Sequence, residues 1–466
     1  MELHTFGQVH FGKADFGDKR LTKRLIKIGD QMMEHPSGTA PAKMQSPADL
    51  EGLYRFVNND KVSHRTILAS HQQYTKERIA AAGSAGRTVE ILYDTTELDY
   101  STLKSNKDLG PIGGGYNRGF LCHNGLAIYG DTREVIGLVS QVVVKRPKPP
   151  KHERRPESRK REDRESRLWV KGVEQAGELP KTGKVINIAD RGADTFEFLD
   201  HMVTTQQLVL VRSKNNRVCF RGHEGTGEQI KLHDAVRQEP ARGTRTITLE
   251  ARGERPKRDV VLNITWLAIQ LRAPRYPRGE HGKDPLKLWV VRASEQNPPP
   301  GQQGIEWLLL TNDPITSVED AIATIEAYEN RGVVEEYHKA MKTGVSIEEM
   351  QFTTGLALLA MIAILSVIAV PLIQMRDLAK DERQHGRRAR EFLPASWATL
   401  LSLWRYKEER DLTVREFIWA LGRLGGHQNR KHDGPPGWQT LWKGMAQLRA
   451  MIRGASCLGN KCWQKM

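Results

Sequence analysis

Three acidic residues stand where hard-cation chemistry would want them. Asp94 closes the run VEILYD (89–94) and is followed by Thr95 and Thr96, while Asp190 closes VINIAD (185–190). A carboxylate at the C-terminal end of a buried strand sits on a rigid support yet opens at the sheet edge, which suits a metal ligand. Aspartate is also an ordinary turn or capping residue after a strand, so neither suffices alone. The third piece is Tyr328-x2-Arg331-x3-Glu335-x6-Lys342 within AYENRGVVEEYHKAMKTG. On a continuous helix, steps of 3, 7 and 14 residues return to within about 60° of one direction. The spacing therefore predicts one face carrying a hydroxyl, a guanidinium, a carboxylate and an ammonium. Mixed charges on helices are ordinarily solvated ion pairs, and Glu335 with Lys339 makes a common i,i+4 pair. The four-part spacing is much less common.

The flanking elements say what would position these groups. Residues 1–70 read as a small basic helical domain, with DKRLTKRLIKIGDQMMEH amphipathic and SPADLEGLYRFVNND opening on a serine cap. The pattern then shifts to strands: VEILYD, FLCHNGLAIYG (120–130) and EVIGLVSQVVV (134–144) form a meander with turn residues between them. The Lys/Arg-rich stretch 145–167 reads as a solvated linker, with phosphate contact the sharper alternative. A helix (about 160–177), VINIAD, a second helix and QLVLVRS (207–213) follow, an alternation that implies parallel strands. A meander followed by such alternation is the order of a ribonuclease-H-like α/β sheet. Strand patterns return over about 235–312 as an all-β insert, and a long helical stretch follows. Residues 71–375 are thus expected to form the core domain and 376–466 a helical C-terminal domain.

Composition narrows the partners. With 71 Lys+Arg against 56 Asp+Glu the formal charge is +15, which favours a polyanion such as nucleic acid. Ribosomal and membrane-surface proteins share such a charge. The four cysteines are too scattered for a disulfide framework, so reduced thiols in the cytosol are expected, and the Cys457/Cys462 pair reads as part of a frayed basic tail. The N-terminus is charged where a signal peptide needs an apolar run. Residues 355–373 are long and apolar enough to span a bilayer, but a helix apolar all round also fills the centre of a large domain, and a buried core helix is expected.

YDTT at Asp94, IADRGAD at Asp190 and the Tyr328, Arg331, Glu335, Lys342 spacing together resemble the DDE transposases of the insertion-sequence-four family. FGDKRLTKRL, YRFVNN, RGFLCHNGL, LVRSK, EWLLLTNDP, HKAMKTG, ALGRLGG and GWQTLW extend the resemblance over nearly the whole length, in the same order. It implies a retroviral-integrase-like catalytic core with an inserted all-β subdomain, flanked by all-helical domains. It implies Asp94, Asp190 and Glu335 as ligands of two Mg²⁺ or Mn²⁺ ions, hard cations that prefer oxygen donors. The implied activity is cut-and-paste transposition through end nicking, hairpin formation and opening, and strand transfer. A decayed or domesticated, non-catalytic end-binding protein is the alternative. The implied partners are double-stranded DNA, as transposon ends and target, and a second copy held through the C-terminal helices. The resemblance assigns DNA contacts to Tyr328, Arg331, Lys342, Arg212, Trp307 (a stacking platform) and Arg24, with Lys339 and Lys214 adding charge. As alternatives, Trp307 reads as core and Arg24 as part of a solvated basic face. His123 aligns near the site, where a buried, hydrogen-bonded histidine is an equal reading. Gly332 departs from the family's tryptophan and is expected to weaken a helix interior.

Overall fold

In a computed structural model, residues 5–147, 152, 154, 157, 161–225, 228–249, 257–275, 279–301, 304–380, 382–391, 393, 395–430 and 433–462 are described. Residues 148–151, 153, 155, 156 and 158–160 of the basic stretch and the side chains of Cys457 and Cys462 lie outside the described residues, and so do the expectations for them.

The chain opens with α1 (Phe6–Phe11), α2 (Lys19–Glu34), α3 (Ala40–Lys43), α4 (Pro47–Val57) and α5 (His64–Ser84). Their starts follow from local chemistry. The side chains of Asp18 and Ser46 accept backbone N–H groups at the first turns of α2 and α4, and Ser63 with Thr66 closes a capping box on α5. Leu25, Ile28 and Met32 of α2 join Leu53 and Phe56 of α4 in a buried cluster that is continuous with the core beneath the sheet. Because α5 runs through residue 70 and packs on later elements, the expected boundary there falls inside a helix.

Among the described residues, twelve strands form one mixed sheet. β1 (Val89–Asp99), β2 (Gly110–Ile112), β3 (Asn117–Tyr129) and β4 (Val135–Val144) are the antiparallel part, with β3 between β1 and β4. β5 (Val185–Ala189) and β6 (Leu208–Arg212) run parallel to β1 on its other side. Helices α6 (Leu168–Ala176) and α7 (Phe196–Thr204) connect them. The long strands read from 89, 120, 134, 185 and 207 are therefore present in the expected alternation.

The expected β insert is different. β9 (Gly243–Leu249), β10 (Arg258–Leu271), β11 (Leu286–Glu295) and β12 (Glu306–Thr311) are not a separate layer, because β12 pairs antiparallel with β6 and extends the same sheet. The exposed edge of β6 is closed by this pairing, which removes an open row of unpaired backbone groups. Two short strands, β7 (Val218–Arg221) and β8 (Ile230–Lys231), and helix α8 (Leu232–Arg237) precede them.

Strand alternation divides the core between two faces. Ile91 and Tyr93 join Trp169, Val173, Phe198 and Leu199 on one side. Leu92, Leu126, Ile188 and Leu210 face the other, under α9 (Val318–Glu329), α10 (Gly332–Lys339) and α11 (Gly355–Lys380). α11 contains the apolar run 355–373. Among the described residues it alone is long and apolar enough to cross a membrane, and 83% of its most apolar window is buried in the protein. It also crosses the expected boundary at 375/376 before α12 (Ala395–Tyr406), α13 (Val414–Leu424) and α14 (Trp438–Cys462), which share a smaller core.

One buried polar contact ties α1 to this body. His71 Nε2 accepts from the Leu138 N–H (3.1 Å), which leaves its proton on Nδ1 to donate to His10 Nδ1 (3.0 Å). Burial, with the Arg78 charge adding to it, lowers the His10 pKa to about 4, and burial also pushes His71 well below its ordinary value. Between pH 6.5 and 4 the unfolded chain therefore binds more protons than the folded one, and stability falls as pH falls through that window. Chemical denaturation followed against pH should show a loss on the order of 3 kcal/mol from His10 across this range. A flat profile would contradict the buried neutral pair.

Candidate functional site

The parallel pairing of β1 with β5 ends at Tyr93–Ala189. Asp190 is the next residue after β5, as expected. Asp94, however, does not end its strand: β1 runs on to Asp99 because β3 continues to pair with it, with Asp94 opposite Asn124. The two aspartates thus emerge next to each other where one neighbour strand stops and the other goes on. Asp190 Oδ1 accepts from the Gly192 N–H (2.6 Å) and Asp94 Oδ1 from the Thr95 N–H (2.9 Å).

The third carboxylate arrives from above. The expected single helix through Tyr328 and Lys342 is instead three pieces, and the reason is local. α9 ends at Glu329, and i→i+3 bonds carry the chain through Asn330 and Arg331 (Arg331 N–H to Tyr328 O, 3.1 Å; Val333 N–H to Asn330 O, 3.0 Å). α10 begins at Gly332, and Ala340–Gly344 form a wider π turn. Buried Asn330 fastens the break: its amide donates to Glu90 Oε2 (2.9 Å) and to Gly130 O (3.2 Å). Burial, opposed by the Asn330 hydrogen bond, raises the Glu90 pKa to about 7.

The four spaced residues meet different partners. Tyr328 turns its edge to Trp307 (ring centroids 6.0 Å) and lies beside Arg212. Arg331 sits between Asp94 and Glu335, 3.3 Å from Asp94 Oδ2 through Nη1 and hydrogen-bonded to Glu335 Oε1 through Nη2. Glu335 therefore pairs with Arg331, and the expected partner, Lys339, is exposed. Lys342 reaches the far end of β1, where it pairs with Glu348 (3.3 Å), itself an acceptor for the Asp99 N–H.

Electrostatics bind the three acids into one site. Burial raises the Asp94 pKa to about 6; Arg331 opposes this, and the Asp190 and Glu335 charges add to it. Burial works against the charge on Arg331, but Asp94, Glu335 and Asp190 hold it protonated. As the carboxylates stand, no three ligating side chains among the described residues are close enough to share an ion. The donors are all carboxylate oxygens, which fits a hard divalent cation once the guanidinium between them has moved.

A cavity of about 380 Å³ beside Asp190 is lined by Arg191, Arg212, His233, Arg237, Glu306 and Trp307. Trp307 is half-buried and packs against the core beneath the sheet. Lys214 projects into solvent from a loop whose backbone N–H groups bind Asp194. Arg24 is not part of this cluster, since its guanidinium lies over Gly52 within the N-terminal helices. His123 is buried on the opposite face of the sheet from Asp94, bonded to Thr95 Oγ1 (2.8 Å).

Residues 4–62 match the family model for transposase DNA-binding domains. The match ends just before the cap of α5, so it covers α1–α4 and includes Arg24. It supports a transposase that binds DNA. The +15 charge and the arginines around the carboxylates agree with such a partner.

Several contributors escaped the sequence reading. His338 accepts from Asn124 Nδ2 on Nε2 (3.1 Å), which leaves its Nδ1 proton facing Asp94 Oδ2 at 4.0 Å. Burial, with the Lys342 and Arg331 charges, lowers its pKa to about 3 and keeps it neutral. Asn124 is held in turn by Gln141 (2.7 Å), which also meets Ser366 and His64. The spacing of three from Glu335 was the available signal for His338. Arg191 directly follows Asp190. Nothing in the sequence marked Asn330, Glu90 or Gln141.

Two measurements follow from the geometry. Because Asp94 is harder to ionise folded than unfolded, its charge costs stability above about pH 6 and not below about pH 4. Asp94→Asn should therefore raise the unfolding free energy at pH 8 on the order of 3 kcal/mol, with no gain at pH 4. Gly332 is exposed at the start of α10 and has open space where a Cβ would sit, so it is not the helix-interior defect expected. Gly332→Ala should stabilise by about 0.4–1 kcal/mol in urea titrations.

Proposed function

We propose that this chain is a DDE transposase of the insertion-sequence-four family, with a ribonuclease-H-like core, that moves a DNA segment by cut-and-paste transposition inside the cell. The observation that carries this reading is the approach of Asp94, Asp190 and Glu335, from three distant segments, to one sheet edge surrounded by arginines, in a chain that begins with a match to transposase DNA-binding domains. The strand order β4-β3-β1-β5-β6, antiparallel and then parallel, supports the ribonuclease-H-like part.

In this reading Asp94, Asp190 and Glu335 would hold two Mg²⁺ or Mn²⁺ ions. Such ions, when bound, supply Lewis acidity and an activated water or 3′-hydroxyl for in-line displacement at phosphorus. The chain's own residues do the rest. His338, fixed by Asn124, orients the Asp94 carboxylate from the inside. Arg212, Tyr328 and Arg331 form a cationic, hydroxyl-bearing edge that grips phosphates beside the carboxylates, and Lys342 extends it along β1. Trp307 offers a face on which an unpaired base stacks, a sequence-tolerant contact of about 1–3 kcal/mol. Arg24 reaches the same DNA from the N-terminal helices. Two protomers joined through their C-terminal helices would hold two ends together, and the reaction would run through nicking, hairpin formation and opening, and strand transfer.

The test uses duplex DNA bearing the sequence that borders the gene, with Mg²⁺. Asp190→Ala and Glu335→Ala should each lower cleavage by about three orders of magnitude or more while end binding, read by mobility shift, persists. Cleavage undiminished in either variant sinks the metal-site assignment.

A further inference from the structure

We propose that Arg331 stands in for the divalent cation in the DNA-free protein and is drawn off by a DNA phosphate, so that metal loading is conditional on bound DNA. This rests on the reading of Asp94, Asp190 and Glu335 as metal ligands. It goes beyond phosphate gripping, because it gives Arg331 two successive anionic partners and makes the first exclude the ion.

The geometry supplies both partners. One side of the guanidinium holds Asp94 and Glu335, as described above. Its other neighbours are Tyr328, which packs against Trp307 of the arginine-lined cavity where phosphates would run, and Arg212, which lines that cavity. The backbone at Arg331 cannot follow the side chain, because Asn330 is pinned to Glu90 and Gly130. The side chain swings from a fixed pivot between carboxylates and cavity.

The exchange is chemically balanced. A guanidinium fork binds carboxylate and phosphate oxygens with similar geometry, so leaving one oxyanion pair for another sacrifices little. The effect on the ion is large. With Arg331 in place the three carboxylates carry a net charge of −3 + 1 = −2, and the oxygens of Asp94 and Glu335 that would face a metal are engaged. Once phosphate holds the guanidinium, the full negative charge and those oxygens are free. A nuclease centre built this way stays unloaded until DNA is seated. Reciprocity then requires that metal strengthen DNA binding by the factor by which DNA strengthens metal binding.

Mn²⁺ binding to the full chain, followed by electron paramagnetic resonance with and without a duplex oligonucleotide, tests this. Wild type should bind Mn²⁺ about tenfold or more tightly with duplex present, and Arg331→Gln without duplex should already bind at the tighter level. Arg331→Lys, which keeps the charge, should remain a weak binder without DNA. Asp190→Ala should remove the signal in every form and so locates the ion. An Asp190-dependent signal of equal strength in Arg331→Gln and wild type, both free of DNA, overturns the exchange and leaves the metal-site reading standing. No Asp190-dependent signal in any form overturns both. Should Arg331→Gln fold poorly, the wild-type protein decides alone: duplex affinity unmoved by Mn²⁺ overturns the exchange.

Discussion

The parallel ladder between β1 and β5 stops at Tyr93–Ala189, and that register forces two carboxylates to leave the sheet side by side. Like charges this close to a buried surface are unfavourable, and the third acid brought down by α10 adds to the cost. Much of the surrounding structure offsets it. Arg331 bridges two of the acids, backbone N–H groups bind Asp94 and Asp190, and neutral His338 presents a proton toward Asp94. The helix break at Asn330 belongs to the same solution, because a continuous helix would carry Arg331 and Glu335 at a different angle to β1. The buried Glu90 that anchors the break is itself burdened with a pKa raised to about 7, so one electrostatic cost supports the arrangement that offsets another.

The polar chain from His64 through Gln141 and Asn124 to His338 gives this edge its rigidity. It starts on α5, crosses β4 and β3, and ends 4.0 Å from Asp94. Each amide has one assignable orientation: Gln141 donates to Asn124 and Ser366 and accepts from His64, while Asn124 donates to His338. A fully satisfied buried network admits few alternatives, and a carboxylate resting on it is pre-positioned at the edge where β5 ends. The cationic residues, by contrast, are held at the rim by ion pairs with neighbouring carboxylates, as Arg331 is by Asp94 and Glu335 and Lys342 by Glu348.

Much of the sheet was legible in the chain because strands and helices advertise their period. The runs at 89, 120, 134, 185 and 207 became β1, β3, β4, β5 and β6, and the apolar run at 355–373 became the buried helix α11. Where periodicity alone guided the reading, it failed for identifiable reasons. The region 235–312 read as a β insert with no stated partner strand, since pattern cannot say which edge a strand will pair with; β6 offered one, and β12 took it. The helical pattern from 318 to 344 concealed a break, because Asn330 and Gly332 are tolerated in helices and the side chain that pins the turn belongs to a strand 240 residues away. The boundaries at 70 and 375 fell inside α5 and α11, whose length comes from packing across domains and not from any local stop signal.

By itself the sequence determined the candidates and their order: the carboxylates Asp94, Asp190 and Glu335, the excess of cations along the chain, and the basic helical start that matches a transposase DNA-binding domain. These are properties of residue type and order and do not depend on packing. Only the tertiary structure decided who touches whom. It paired Glu335 with Arg331 and left Lys339 in solvent, sent His123 to the far face while His338 took the near one, and gave Tyr328 and Lys342 partners of their own in Trp307 and Glu348. Contacts between segments far apart in sequence follow from register, helix breaks and buried hydrogen bonds, and none of these has a local signature in the chain.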